Sequence, residues 1–154
     1  MEDNIFQFDE PQVEFPEKTI LNLTNGFDTA TDGLASLILL QIKNDSRIGG
    51  INSTFQFRLK LISNILINYS FTLLDFGYDV TIYPVTITID DSEIANELGI
   101  TETDFYDNYI VTLNSDKELI SLLKSIFQTN TFRKTVGGLM KIAREKANNS
   151  ITKT

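Results

Sequence analysis

Apolar and polar positions recur along this chain with two different periods, and each change of period predicts an element boundary. "KTILNLT" (18–24) alternates and predicts a strand, entered through an extended stretch bracketed by Pro11 and Pro16. "NGFD" makes a turn, after which Thr31 or Asp32 can cap a helix running to about Lys43. "NDSRIGG" breaks that helix. Phe55, Leu59, Ile62, Leu66, Tyr69, Leu73 and Phe76 then follow a 4-3-4-3-4-3 spacing, which sets them on one helical stripe ending at Gly77. Residues 66–74 also alternate, so a shorter helix followed by a hairpin turning at Asp75 to Tyr78 is the alternative.

"YDVTIYPVTITID" (78–90) predicts a strand interrupted at Pro84, and proline's missing N–H assigns it to a sheet edge or a bulge. "NYIVTLN" (108–114) predicts another strand. Ser115 and Glu118 form a capping box ahead of a helix carrying Leu119, Leu122, Leu123 and Ile126. Thr131 can cap a last helix with Phe132, Val136, Leu139 and Ile142 on one face, weakened at Gly137-Gly138. These elements give a single α+β domain over 1–154: a small antiparallel or mixed sheet packed against a long central helix and a C-terminal helical pair. Residues 1–10 read as a mobile arm whose anchors are Phe6 and Phe8, and 131–154 as a basic C-terminal helix and tail.

Composition changes this picture mainly by exclusion. At 154 residues, 42% hydrophobic and 22% charged, the chain suits one globular domain with a real core. It has no cysteine and no histidine, which removes zinc sites, thiolate chemistry and the familiar nucleophile–histidine arrangements. No phosphate-binding loop is present, because Gly49-Gly50 and Gly137-Gly138 lack the required spacing and a following Lys-Ser/Thr. The acidic start lacks the basic and apolar regions of a signal peptide. The longest apolar-rich run, 61–74, falls short of the ~20 residues that a membrane span needs. A cytoplasmic protein without cofactor or metal is the expectation.

Charge is segregated. Between Leu61 and Asp116 there are ten acids and no lysine or arginine, while 131–154 holds six bases against Glu145. Within the acidic stretch, "SEIANELGITETDFYDNY" (92–109) resembles the helix-turn-helix of DNA-binding regulators in its apolar Ile94, Ala95 and Leu98 and its turn at Gly99. Its second helix would present Glu102, Asp104 and Asp107 to phosphate, which repels rather than binds nucleic acid. Asp90, Asp91, Glu93 and Glu97 lack the loop spacing of a calcium site and suit the start of a helix.

The remaining candidate is a protein-binding surface: Glu97, Glu102, Asp104, Tyr106, Asp107 and Tyr109, in which carboxylates steer a basic partner and aromatic rings anchor it. The alternative places Phe105 in the core and half-buries the tyrosines. In size, charge and missing catalytic residues the chain is similar in type to small acidic immunity or inhibitor proteins that neutralise cationic toxins and nucleases, although no motif carries the likeness. The expected function is therefore non-enzymatic binding of a basic protein, with no nucleic-acid or membrane partner. The alternative is a subunit of a homomeric assembly, for example of a phage, joined through the basic C-terminal helix.

Overall fold

A computed structural model describes residues 5–43, 52–101 and 109–152, with the side chains of the last three residues left aside. Five strands form one antiparallel sheet in simple sequence order: β1 (Ala35–Ile42), β2 (Phe55–Ser63), β3 (Ser70–Tyr78), β4 (Val85–Ile89) and β5 (Tyr109–Leu113). The helices are α1 (Pro16–Thr24), α2 (Phe27–Ala30), α3 (Ser92–Glu97), α4 (Asp116–Gln128) and α5 (Asn130–Thr152). The protein is thus α+β. No helix among the described residues is long and apolar enough to cross a membrane.

The expected central helix is instead the hairpin β2–β3. "FQFRLKL" (55–61) alternates without fault, sending Phe57, Leu59 and Leu61 into the core with Arg58 and Lys60 between them. Residues 64–69 make the turn. The 4-3-4-3 stripe is a coincidence of spacing: Ile62 lies on the opposite face of β2 from Leu59, and Leu66 and Tyr69 lie in the turn. Only the step from Leu73 to Phe76 reflects the β2–β3 register shift at Leu59/Lys60, which buries the consecutive Leu73 and Leu74. Cross-strand Phe57 and Phe76 stack with ring centroids 5.0 Å apart.

Three other expectations change. Residues 18–24 belong to helix α1, whose start is set by Pro16 in its first turn and Glu17 beside it. The leucine-rich stretch expected as a helix to Lys43 is β1. Leucine favours helix locally, but eight positions of β1 pair with β2, and that pairing decides. Finally, β4 lies inside the sheet and not at its edge. Pro84 precedes the strand, where its missing N–H costs no ladder bond, and Tyr83–Pro84 is cis.

The helices build one layer on the sheet. Ile20 of α1, Leu119, Leu123 and Ile126 of α4, and Phe132, Val136 and Leu139 of α5 share a single core with Phe57, Phe76 and Ile87. Ala143 continues the buried face of α5, whereas Ile142, expected there, is 54% exposed. Besides α4, α5 packs against α3 and β1. Its first helical residue is Asn130, so its cap is Thr129: the Thr129 hydroxyl accepts the Phe132 N–H at 3.2 Å.

Polar groups fasten the layers. The Tyr78 hydroxyl of β3 donates to the Glu17 carboxylate of α1, and Thr19 of α1 donates to Asp116 of α4 at 2.6 Å. Burial first, and then the Glu17 carboxylate, push the Tyr78 phenol well above its ordinary range, so it remains a donor.

Candidate binding groove and the acidic segment

Asp91 opens α3 by accepting the Ile94 N–H at 2.9 Å on its carboxylate. The helix closes on Gly99 at φ 72°, where the Gly99 N–H bonds Asn96 and the Ile100 N–H bonds Ala95. That pair of bonds is a Schellman motif, and it explains the glycine by the left-handed conformation it needs. The turn read from the sequence is therefore present after α3. The second helix of the helix-turn-helix reading falls in 102–108, outside the described residues.

Of the expected partner-binding residues, Glu102, Asp104, Tyr106 and Asp107 also lie outside the described residues. Glu97 holds the fold together. Its carboxylate accepts the Asn130 N–H at 2.7 Å and the Thr131 N–H at 2.9 Å, at the start of α5. The Thr129 N–H bonds Ile126 and the Phe132 N–H bonds the Thr129 hydroxyl, so all four amides at this helix start have acceptors. Hydrogen bonds from Thr131, side chain and then backbone, hold the Glu97 carboxyl below its ordinary value, aided by Asn130 and the charge of Lys134. Tyr109 begins β5 opposite Ile89, half-buried against the core.

What sequence reasoning missed lies beside that strand. β5 ends the sheet, and among the described residues no strand pairs with its outer side. Between β5 and α4 runs an open groove of about 700 Å³, with Leu98, Ile100, Val111, Leu113 and Leu122 on its walls. Ser121, Ser125 and Lys117 add polar groups from α4. Glu118 also borders it, but its carboxylate turns back to the Asn114 N–H while its own amide bonds Ser115, completing the helix start that the capping box predicted. Only the alternation of "YIVTL", followed at once by a helix start, hinted at an edge strand flanked by a helix.

The sheet's other face carries Arg58 and Asp75, opposite each other across β2 and β3. Arg58 Nε meets Asp75 Oδ1 at 2.8 Å and a terminal nitrogen meets Oδ2 at 3.1 Å, a two-point contact. This hydrogen bonding raises the Arg58 pKa despite partial desolvation. Asp90, at the end of β4, is raised above the usual carboxylate range by desolvation and by the negative charge of Asp75. Among the described residues no group of three or more Asp or Glu side chains could hold a metal ion. Every buried side-chain nitrogen and oxygen there has a hydrogen-bond partner.

Compared with family models, curated proteins and solved structures, the chain matches none of them, so its function is read from its own residues.

Proposed function

We propose that the protein is a non-enzymatic binding protein that takes an extended segment of a basic partner against β5, as a sixth strand lying in the groove beside α4. The observation that carries this reading is the edge strand with an apolar groove and a helix directly alongside. A segment added to such an edge gains main-chain hydrogen bonds from the strand, and every second side chain enters the groove. The basic character of the partner follows from charge. The chain has a formal net charge of −8, and its sequence enters β5 through Glu102, Asp104 and Asp107. Such a field speeds the encounter with a cationic chain, while the groove sets how long it stays.

The polar interactions support binding over catalysis. Asp75 is committed to Arg58, Glu17 to Tyr78, Asp116 to Thr19, and Glu97 to α5. These carboxylates already serve the fold, and no histidine or cysteine supplies a base or nucleophile. An inhibitor or immunity-type protein for a toxin or nuclease is the biological form this reading takes, with a cytoplasmic address.

The test uses synthetic extended peptides with alternating valines, carrying either lysine or glutamate at the intervening positions. The lysine series binds with an affinity that falls as salt rises, and Leu122→Asp in the groove weakens it. Equal binding of the glutamate series removes the charge argument, and binding untouched by Leu122→Asp removes the groove.

A second reading, a subunit of a homomeric assembly, is favoured by a separate observation. Among the described residues, five of the ten exposed large hydrophobic side chains lie within residues 5–15.

A further inference from the structure

The sheet has two ends, and the strand opposite β5 leaves the longer row of backbone open. β1 pairs with β2 along all eight of its positions, and among the described residues no strand pairs with its other side. In an antiparallel ladder, alternate residues direct both N–H and C=O away from the partner, so half of β1's positions aim them outward. The backbone N–H groups of residues 36–42 find no acceptor outside that ladder among the described residues. At about 3.4 Å per residue, the open row runs for about 27 Å.

Edges of this length are ordinarily blunted by a lysine, a proline or a bulge. β1 has none of these: Gly33 to Ile42 contains no charged residue and no proline, and the register against β2 is unbroken. Its side chains are apolar on both faces. Leu37 and Leu39 pack against the core on the helix side, so Ile38, Leu40 and Ile42 occupy the other face by alternation. Yet only Ala35 in this strand is fully buried, and Leu40 is 43% exposed. Apolar residues on both faces suit a strand inside a sheet, not one at its end.

We propose that β1 pairs with β1 of a second copy, antiparallel about a two-fold axis, joining two five-stranded sheets into one of ten strands. The open backbone row fixes the occupant as a strand, and charge and sequence fix which one. The field that steers a basic chain to β5 has no counterpart on this charge-free edge. Two copies, each with a formal net charge of −8, repel one another and meet closely only where the contact carries no acid. β1 is such a strip. It is also self-complementary: about an axis at Ile38, Leu37 faces Leu39 on the helix side, while Ile38 faces its own copy on the other. A single strand pair is a small interface, so the dimer is weak and concentration-dependent. The contact lies at the opposite end of the sheet from the peptide groove and is independent of it.

The test is sedimentation velocity on the full-length chain and on two variants, Ile38→Lys and Ile38→Glu, with circular dichroism to verify the fold. The wild type forms a dimer, and added salt strengthens it by screening the repulsion between two acidic chains. That sign is opposite to the one expected for capture of a basic peptide at β5. Each variant alone dimerises about ten-fold or more weakly, because apolar burial is lost and like charges face each other at the axis. Mixed in equal amounts, the two variants recover association, since lysine then faces glutamate. This recovery is not produced by a substitution that only loosens the fold. Amide hydrogen exchange of the wild type needs no variant: alternate amides of 36–42 gain protection as concentration rises. A wild type that is monomeric at every concentration and ionic strength overturns the proposal. So do variants that dimerise unchanged, a mixture no stronger than its parts, or concentration-dependent protection that arises elsewhere than in β1.

Discussion

The Glu97 carboxylate accepts the backbone N–H of Thr131 at 2.9 Å across 34 positions of sequence, tying the end of α3 to the start of α5. A residue that charge alone assigns to a partner surface thereby acts as a helix cap from outside the helix. Because hydrogen bonds from Thr131 lower its pKa in the folded state, its contribution to stability is complete above the unfolded-state pKa. It is lost as pH falls through the lowered folded value. Glu97→Ala should reduce thermal stability at neutral pH and flatten the wild type's loss of stability on acidification. Thermal melts of both proteins from pH 7 to pH 3 measure this. An unchanged acid slope would mean that the cap carries no weight.

Arg58 and Asp75 are unequal partners, since Asp75 is almost wholly buried and Arg58 is a quarter exposed. Removing the arginine leaves a carboxylate in the sheet without its countercharge, a loss on the order of 3–5 kcal/mol. Removing the acid leaves a guanidinium that can turn toward water. Urea unfolding should therefore rank Arg58→Met as clearly more damaging than Asp75→Asn. Equal losses would show that Asp75 draws its stability from other neighbours.

Gly137 and Gly138 lie exposed within α5, and a Cβ added at either meets nothing within 4 Å. Alanine there should stabilise the protein by roughly 0.5–1 kcal/mol per site through helix propensity. A loss of stability, seen by denaturant titration, would reveal a requirement for glycine beyond the fold.

The carboxylates ahead of β5 and the ring at its start should separate kinetically. Reversing Glu102, Asp104 and Asp107 to lysine should slow association with a lysine-rich peptide and flatten its salt dependence, with circular dichroism unchanged. Tyr109→Ala, by contrast, removes a half-buried ring that packs on the core, so it should cost stability as well as raising the dissociation rate. Stopped-flow kinetics beside thermal melts distinguish the two effects.

The sequence was most readable where one local signal sufficed. The Ser115–Glu118 helix start, the Gly99 turn and the strand at 109–113 follow from capping chemistry, a left-handed glycine and clean alternation. It misled where pairing partners decide the outcome. Leucines in 35–42 favour helix until β2 pairs alongside, and residues from both faces of β2, the turn and β3 happened to fall at the spacing of a helical stripe. The candidate site was hidden for the same reason. A groove between β5 and α4 forms only after the sheet order is fixed, and Glu97 finds Asn130 and Thr131 only through tertiary packing.

The central claim, a partner strand added at β5, is tested most directly by backbone amide hydrogen exchange of the full-length protein with and without a saturating valine–lysine peptide. Strand addition predicts new protection within Ile110–Leu113, at alternate amides facing the open edge, together with chemical-shift changes at Leu122 across the groove. Binding that leaves the β5 amides exchanging as before, with protection arising elsewhere, would contradict the account.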